Sequence, residues 1–196
     1  MEPMIHSSSL PDATTGGRSS VCRRRLGEGL TVWLTGLPCA GKTTIATGLA
    51  AKLAGAGFPV EVLDGDEVRA ALGPELGFSR ADRDANVRRV GFVANLLSRH
   101  GVVVICALVS PYRATRDEVR AAHGGRFFEV LVSAPLVVCS RRDVKGLYAR
   151  QCVGSLHGLT GVDAPYEPPL QPELVVPTHT QSVGASVDAV WQALPR

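Results

Sequence analysis

Eight consecutive residues, Gly36-Leu37-Pro38-Cys39-Ala40-Gly41-Lys42-Thr43, have the types and spacing that wrap a chain around an anion. They fit the pattern G-x-x-x-x-G-K-[ST]. Glycine lacks a Cβ, so its backbone can approach a ligand closely. Successive amide N–H groups then point at phosphate oxygens, and the following helix adds its positive N-terminal end. In such a loop Lys42 reaches the β- and γ-phosphates and the Thr43 hydroxyl ligates Mg²⁺. Gly36 to Thr43, with Thr44 beside them, form the candidate ATP-binding set.

A second group with chemical capacity is Asp64-Gly65-Asp66, at the end of a predicted strand, Val60 to Leu63. Carboxylates at the C-terminal end of a strand lie where α/β sheets bind ligands. The pair also suits a turn in which the carboxylates cap a helix.

These residues need a scaffold, and the pattern supplies one. Thr31 to Thr35 reads as a buried strand before the loop, and Thr43 to Ala56 as a helix after it. Strand, glycine loop and helix is the arrangement the motif requires. A short helix is expected from Glu67 to Leu72 and a long one from Arg80 to His100. In the long helix Val87, Val90, Phe92, Val93, Leu96 and Leu97 recur at helical spacing. Val102 to Leu108 is a continuous apolar run, the mark of a strand buried on both faces of a parallel sheet. Ser110-Pro111-Tyr112-Arg113 opens another helix, with Ser as N-cap and Pro at N1. Strands at Phe127 to Val132 and Leu174 to Val176 and a closing helix from Val183 to Leu194 complete an α/β alternation. Helices on both faces of a mainly parallel sheet follow.

At 196 residues the chain is expected to form one domain from residue 28 to residue 196, after a flexible extension over residues 1–27. The extension is rich in Ser, Thr, Gly and Arg. Its Arg23-Arg24-Arg25 run reads as a solvated patch, and an organellar transit peptide is the other reading of its composition. It has no apolar core of the secretory kind. The five cysteines, Cys22, Cys39, Cys106, Cys139 and Cys152, form no C-x-x-C pair. That pattern fits a reducing compartment, the cytoplasm, rather than a disulfide framework or a zinc site. A formal charge of +3 without a long basic block argues against a nucleic-acid partner. The longest apolar run is too short to span a bilayer, so no membrane partner is expected.

Several further stretches follow in order: Trp33-Leu34-Thr35-Gly36-Leu37, Leu63-Asp64-Gly65-Asp66-Glu67-Val68-Arg69, Leu76-Gly77-Phe78-Ser79 with Asp82-Arg83, and Asn86-Val87-Arg88-Arg89. Ser110-Pro111-Tyr112-Arg113, Arg142-Asp143-Val144-Lys145-Gly146-Leu147-Tyr148 and Thr160-Gly161-Val162-Asp163-Ala164-Pro165-Tyr166-Glu167-Pro168-Pro169 come next. On this ordered set the chain from Leu30 onward resembles the adenylyl-sulfate kinase family, which phosphorylates adenosine 5′-phosphosulfate (APS) on its ribose 3′-hydroxyl. The resemblance implies a three-layer α/β/α P-loop NTPase fold with a mobile lid over Arg141 to Pro169. It also implies ATP as co-substrate, Mg²⁺, a homodimer, and a functional link to an ATP sulfurylase, no such domain being expected within this length.

It implies roles as well. Lys42 and the loop amides would hold the triphosphate. Asp64 would accept the hydroxyl proton or orient Mg²⁺-bound water, and Asp66 would share that work. Arg69, Arg83 and Lys145, with Asn86, would bind the phosphosulfate, as forked cations suit such oxyanions. For Arg88 and Arg89 a solvated helix face is an equal reading. Phe78 would stack on the adenine of APS. Ser110 matches a serine that is phosphorylated in some members, which makes it a candidate phosphoserine beside its capping role. The chain departs from the family in having Leu159 where a Phe commonly covers the second adenine face, and in Pro38 and Cys39 within the loop. Another small-molecule P-loop kinase, or a non-catalytic nucleotide-binding protein, is the alternative class.

Overall fold

The computed structural model describes residues 26–196. The expected extension lies outside the described residues, Cys22 and the Arg23–Arg25 run included. Its last two positions do not: Leu26 and Gly27 belong to a 3-10 turn, Leu26–Glu28, that buries Leu26 in the core.

Five strands, β1 (Leu30–Thr35), β2 (Val60–Asp64), β3 (Val103–Ala107), β4 (Phe127–Ser133) and β5 (Leu174–Pro177), form one sheet in the order β2-β3-β1-β4-β5. Every pairing is parallel. Among the described residues, seven α-helices accompany them: α1 (Lys42–Gly55), α2 (Gly65–Leu72), α3 (Arg80–Ser98), α4 (Arg113–Ala122), α5 (Leu136–Arg142), α6 (Leu147–Cys152) and, after β5, α7 (Val183–Ala193). Side chains alternate across a strand, and both faces are covered. Val32, Leu34, Val103 and Ile105 pack with Ile45 and Leu49 of α1 and Val187 and Val190 of α7. Trp33, Val104 and Cys106 face the other way, against Val87, Val90 and Ala94 of α3 and Val119 of α4. The register sets Asp64 and Leu34 level with Ala107. The loops leaving β1, β2 and β3 therefore emerge side by side at the carboxyl edge of the sheet, the ligand-binding edge of such folds.

Two expectations need correction. On α3, Phe92 and Leu96 do not join the packed face; they are 69% and 39% exposed. The buried stripe runs through Val87, Val90, Gly91, Ala94 and Ser98. Its small residues let α3 lie close to α4: a Cβ on Gly91 would fall 2.7 Å from Val119. Ser110 does not cap α4 and Pro111 is not its first residue. The N-cap is Tyr112, without a side-chain hydrogen bond to the helix. Ser110 takes a left-handed φ of 41°, and its hydroxyl is buried and engaged elsewhere.

At the far end of α4 sits His123, fully buried against the ring edge of Phe127. Its Nδ1 lies 2.6 Å from the carbonyl of Val119, while Nε2 meets no hydrogen-bond partner among the described residues. Burial holds its pKa down at about 4. Among the described residues no helix is long and apolar enough to cross a membrane.

Candidate active site

The phosphate loop has the geometry its sequence demands. Gly36 cannot carry a side chain, since a Cβ would meet the carbonyl oxygen of Val132 at 2.3 Å. Gly41 caps α1 at φ 106°, a conformation that glycine alone adopts readily. Cys39 takes a left-handed φ of 61° between them. Lys42 is folded into the loop, and its Nζ donates to the carbonyls of Gly36 at 3.0 Å and Leu37 at 2.7 Å. Burial away from water lowers its pKa to about 8. An amine so placed is poised to exchange two neutral acceptors for a phosphate.

The two carboxylates sit beside this loop. Asp64 caps α2, accepting from the amide of Asp66 at 3.0 Å through one oxygen. Its other oxygen accepts from the Thr43 hydroxyl at 2.9 Å. The helix consequently starts at Gly65, two residues before the expected Glu67. The capping and the catalytic readings of Asp64 are therefore compatible: one oxygen holds the helix and the other meets the loop. Asp66 pairs with Lys145 of the lid segment, and that hydrogen bond raises the pKa of the lysine.

A cavity of about 830 Å³ runs from the phosphate loop past Asp64 and Asp66 to Phe78, Arg83, Asn86 and Leu159. Of the expected ATP-binding residues, Pro38, Cys39, Gly41, Lys42, Thr43 and Thr44 line it. Gly36, Leu37 and Ala40 do not, and Leu37 instead packs on Gly161 of the lid segment. Arg69, Lys145 and Ser110 line the cavity too.

Arg69 and Arg83 donate to protein acceptors around Phe78 and in the lid segment. Arg69 donates to the carbonyls of Leu76 and Gly77, and its guanidinium lies 4.8 Å from the Phe78 ring centroid. Arg83 donates to Phe78 O at 2.8 Å, and to Gly158 O and the Thr160 hydroxyl of the lid segment. Together they fix a loop that presents Phe78, 65% exposed, as an aromatic platform. Leu159 is buried, between the cavity and the core. Arg88 pairs with Glu118 of α4 at 2.8 Å, and Arg89 pairs with Glu75 at 2.6 Å and donates to the carbonyl of Leu72 at the end of α2.

Sequence reasoning missed the braces. Thr178, just past β5, donates to Ala40 O at 2.7 Å. Arg142 reaches the same carbonyl at 3.2 Å and Thr178 O at 2.7 Å. Tyr148 donates to Pro38 O at 3.0 Å, and burial pushes its phenol pKa up. Arg142 and Tyr148 stand in a stretch singled out above, yet nothing local shows that they reach the loop. Ser110 accepts from Trp33 Nε1 at 3.1 Å and donates to the Thr35 hydroxyl at 3.0 Å.

A central phosphate loop on a parallel sheet, with a carboxylate touching its threonine and one cavity continuing from it to an aromatic platform, defines a P-loop phosphotransferase-type nucleotide-binding protein. A model of the adenylylsulphate kinase family matches residues 28–177. The chain belongs to that family. It is 58% identical over 167 residues to an adenylyl-sulfate kinase of Synechococcus sp. (strain JA-3-3Ab), covering 85% of this chain and 94% of that one. The counterpart from Chloroflexus aurantiacus is 55% identical over 169 residues, covering 86% and 90%. Among solved structures, the Mycobacterium tuberculosis APS kinase in complex with AMPPNP and APS superposes with a TM-score of 0.82 at 40% identity, over 85% of this chain and 97% of that one.

Proposed function

We propose that this protein transfers the terminal phosphoryl group of ATP to the ribose 3′-hydroxyl of APS, yielding ADP and 3′-phosphoadenosine 5′-phosphosulfate. The observation that carries the reading is a single cavity with the phosphate loop at one end, the Phe78 platform at the other, and Asp64 and Asp66 between. Phosphoryl transfer asks for positioning and charge neutralisation more than covalent chemistry.

Each residue then has a task. Lys42 leaves the carbonyls of Gly36 and Leu37 for the β/γ-phosphates. Asp64, on the cleft side of the loop, takes the hydroxyl proton or would help orient Mg²⁺-bound water. Phe78 stacks on the adenine of APS, and Leu159 packs from the lid side. Lys145 supplies positive charge near the phosphosulfate once substrate competes for it with Asp66. Arg69 and Arg83 support the platform, and Arg83 joins it to the lid segment. Asn86, mostly buried at the cavity wall, is a polar contact for the same group.

The donor set fits Mg²⁺. A hydroxyl and a carboxylate lie 2.9 Å apart, and this hard cation commonly takes one or two protein oxygens beside substrate phosphates. Thr43 would hold it directly and Asp64 through water. When bound it neutralises charge on the phosphates.

The lid over Arg141 to Pro169 opens to admit substrates and closes to exclude water. We take the folded unit to include the turn Leu26–Glu28, which buries Leu26 in the core. The protein works in the cytoplasm as a homodimer, downstream of an ATP sulfurylase that supplies APS. Size-exclusion chromatography with light scattering tests the dimer. A coupled assay with ATP, Mg²⁺ and APS, run beside nucleoside and sugar acceptors, tests the reaction. Turnover that depends on added APS is the expected result. ATP hydrolysis indifferent to APS would overturn it.

A further inference from the structure

Arg116 of α4 is 1% exposed, and nothing in the reaction scheme above calls for it. Its guanidinium donates in three directions. Nε bonds Glu129 Oε1 of β4 at 2.9 Å. Nη1 bonds the carbonyl of Ser110 at 2.6 Å, and Nη2 the carbonyl of Glu167 at 2.6 Å. Each acceptor belongs to a different part of the molecule. Ser110 lies in the loop after β3, whose residues Leu108 to Pro111 line the cavity. Glu167 lies in the strap where the lid segment returns to the body. That strap is stitched to the same loop by Glu167 N donating to Pro111 O at 2.8 Å and Arg113 N donating to Glu167 Oε2 at 2.9 Å. Next to it, the Tyr166 hydroxyl lies 3.1 Å from the hydroxyl of Thr35, the residue that leads into the phosphate loop.

The charges balance without help from solvent. Glu129 also accepts from Arg120, which pairs with Glu173 at 2.6 Å, giving a chain of two cations and two anions. Buried ion pairs are poor devices for stability, since apolar residues of similar volume often do as well. What a guanidinium adds is a rigid fork of donors that reaches several acceptors at once. The Ser110 carbonyl needs holding, because a φ of 41° at a non-glycine residue is strained.

We infer that Arg116 is a positioning residue for the reaction, fixing the loop after β3 to the root of the lid so that both face APS together. It acts through Ser110 and Glu167 and touches no reacting atom. The inference rests on the reading that APS occupies this end of the cavity.

Two variants test it. Arg116→Lys keeps the charge and loses the fork. Arg116→Met with Glu129→Gln removes the pair while leaving Arg120 and Glu173 together. Both are assayed for KM and kcat toward APS, for ADP affinity by calorimetry, and for thermal midpoint. The expected result for R116K is a KM for APS raised about tenfold or more, with ADP affinity nearly unchanged, since small misplacements of positioning groups carry large rate costs. The double variant is expected to regain thermal stability and keep the APS defect. Recovery of KM together with stability would overturn the inference, as would equal losses toward ADP and APS. A double variant that does not fold would also overturn it, leaving Arg116 a stability element only. A parent protein without APS-dependent turnover would instead sink the functional reading, before any variant is compared.

Discussion

The loop after β1 and the loop after β3 leave neighbouring parallel strands at the same level, yet they are held in opposite ways. The first is shaped from within. Its glycines, its own lysine and the start of α1 account for its conformation, and its long-range contacts are braces on carbonyls. The second is shaped from outside. Ser110 sits in a strained conformation held by Trp33, Thr35 and Arg116, which come from β1 and α4. A loop coded locally can be read from eight consecutive letters. One coded by distant partners has no such signature, and its serine looks like an ordinary helix cap.

The comparison can be broken or sharpened by substitution. Lys42→Ala should have the largest effect: removal of a charge-stabilising donor of this kind costs about 10²–10³-fold in turnover or more. The fold should survive, because the lysine is buried at a cost when no nucleotide is bound. A coupled assay beside circular dichroism measures both, and near-normal turnover would remove the loop's lysine from the chemistry.

Ser110→Ala strikes the other loop. It leaves the buried indole N–H of Trp33 without its acceptor, a loss of about 1–3 kcal/mol in stability by urea titration. Most of the turnover should remain, and γ-labelled ATP should leave no label on the protein. A labelled serine in the parent would support the phosphoserine reading.

The lowered pKa of Lys42 predicts a proton-linked step. Free Lys42 is partly neutral above about pH 8, and a bound triphosphate would restore its charge. Nucleotide binding should therefore take up a proton between that pH and the ordinary lysine range, and weaken as pH rises through it. Calorimetry in buffers of different ionisation enthalpy reads the uptake; none at pH 8.5 would contradict the burial argument.

The smallest expected effect is that of Leu159→Phe. A ring opposite Phe78 should tighten APS by about 0.5–1.5 kcal/mol, the usual gain from an aromatic pair. An unchanged or weaker dissociation constant would place Leu159 away from the adenine.

What could be read from the letters follows the same division. The strands, and the helices apart from α5 and α6, were visible because each rests on neighbours in sequence: apolar runs for β1 and β3, glycines for the loop, an aspartate pair at the end of β2; Phe78 came only through the family resemblance. The packed face of α3 was misread where size misleads. Phe92 and Leu96 fit an apolar rhythm, but the contact with α4 is made at Gly91, where bulk is excluded. Arg69 and Arg83 carried the signature of anion binding and proved to hold carbonyls around Phe78 as well. Arg116, Glu129, Arg120 and Glu173 gave no signal at all, since a buried network of charges looks like a solvated surface until the chain is folded.

His123 gives the molecule a weak point unrelated to its chemistry. Its imidazole is kept neutral down to about pH 4, whereas in the unfolded chain it gains a proton near 6.5. As pH falls through that interval the unfolded chain binds the extra proton, so the native state loses ground steadily. Stability should therefore fall as the pH drops from about 6.5 towards 4. An apolar side chain of similar shape at that position should widen the acid range over which it survives storage.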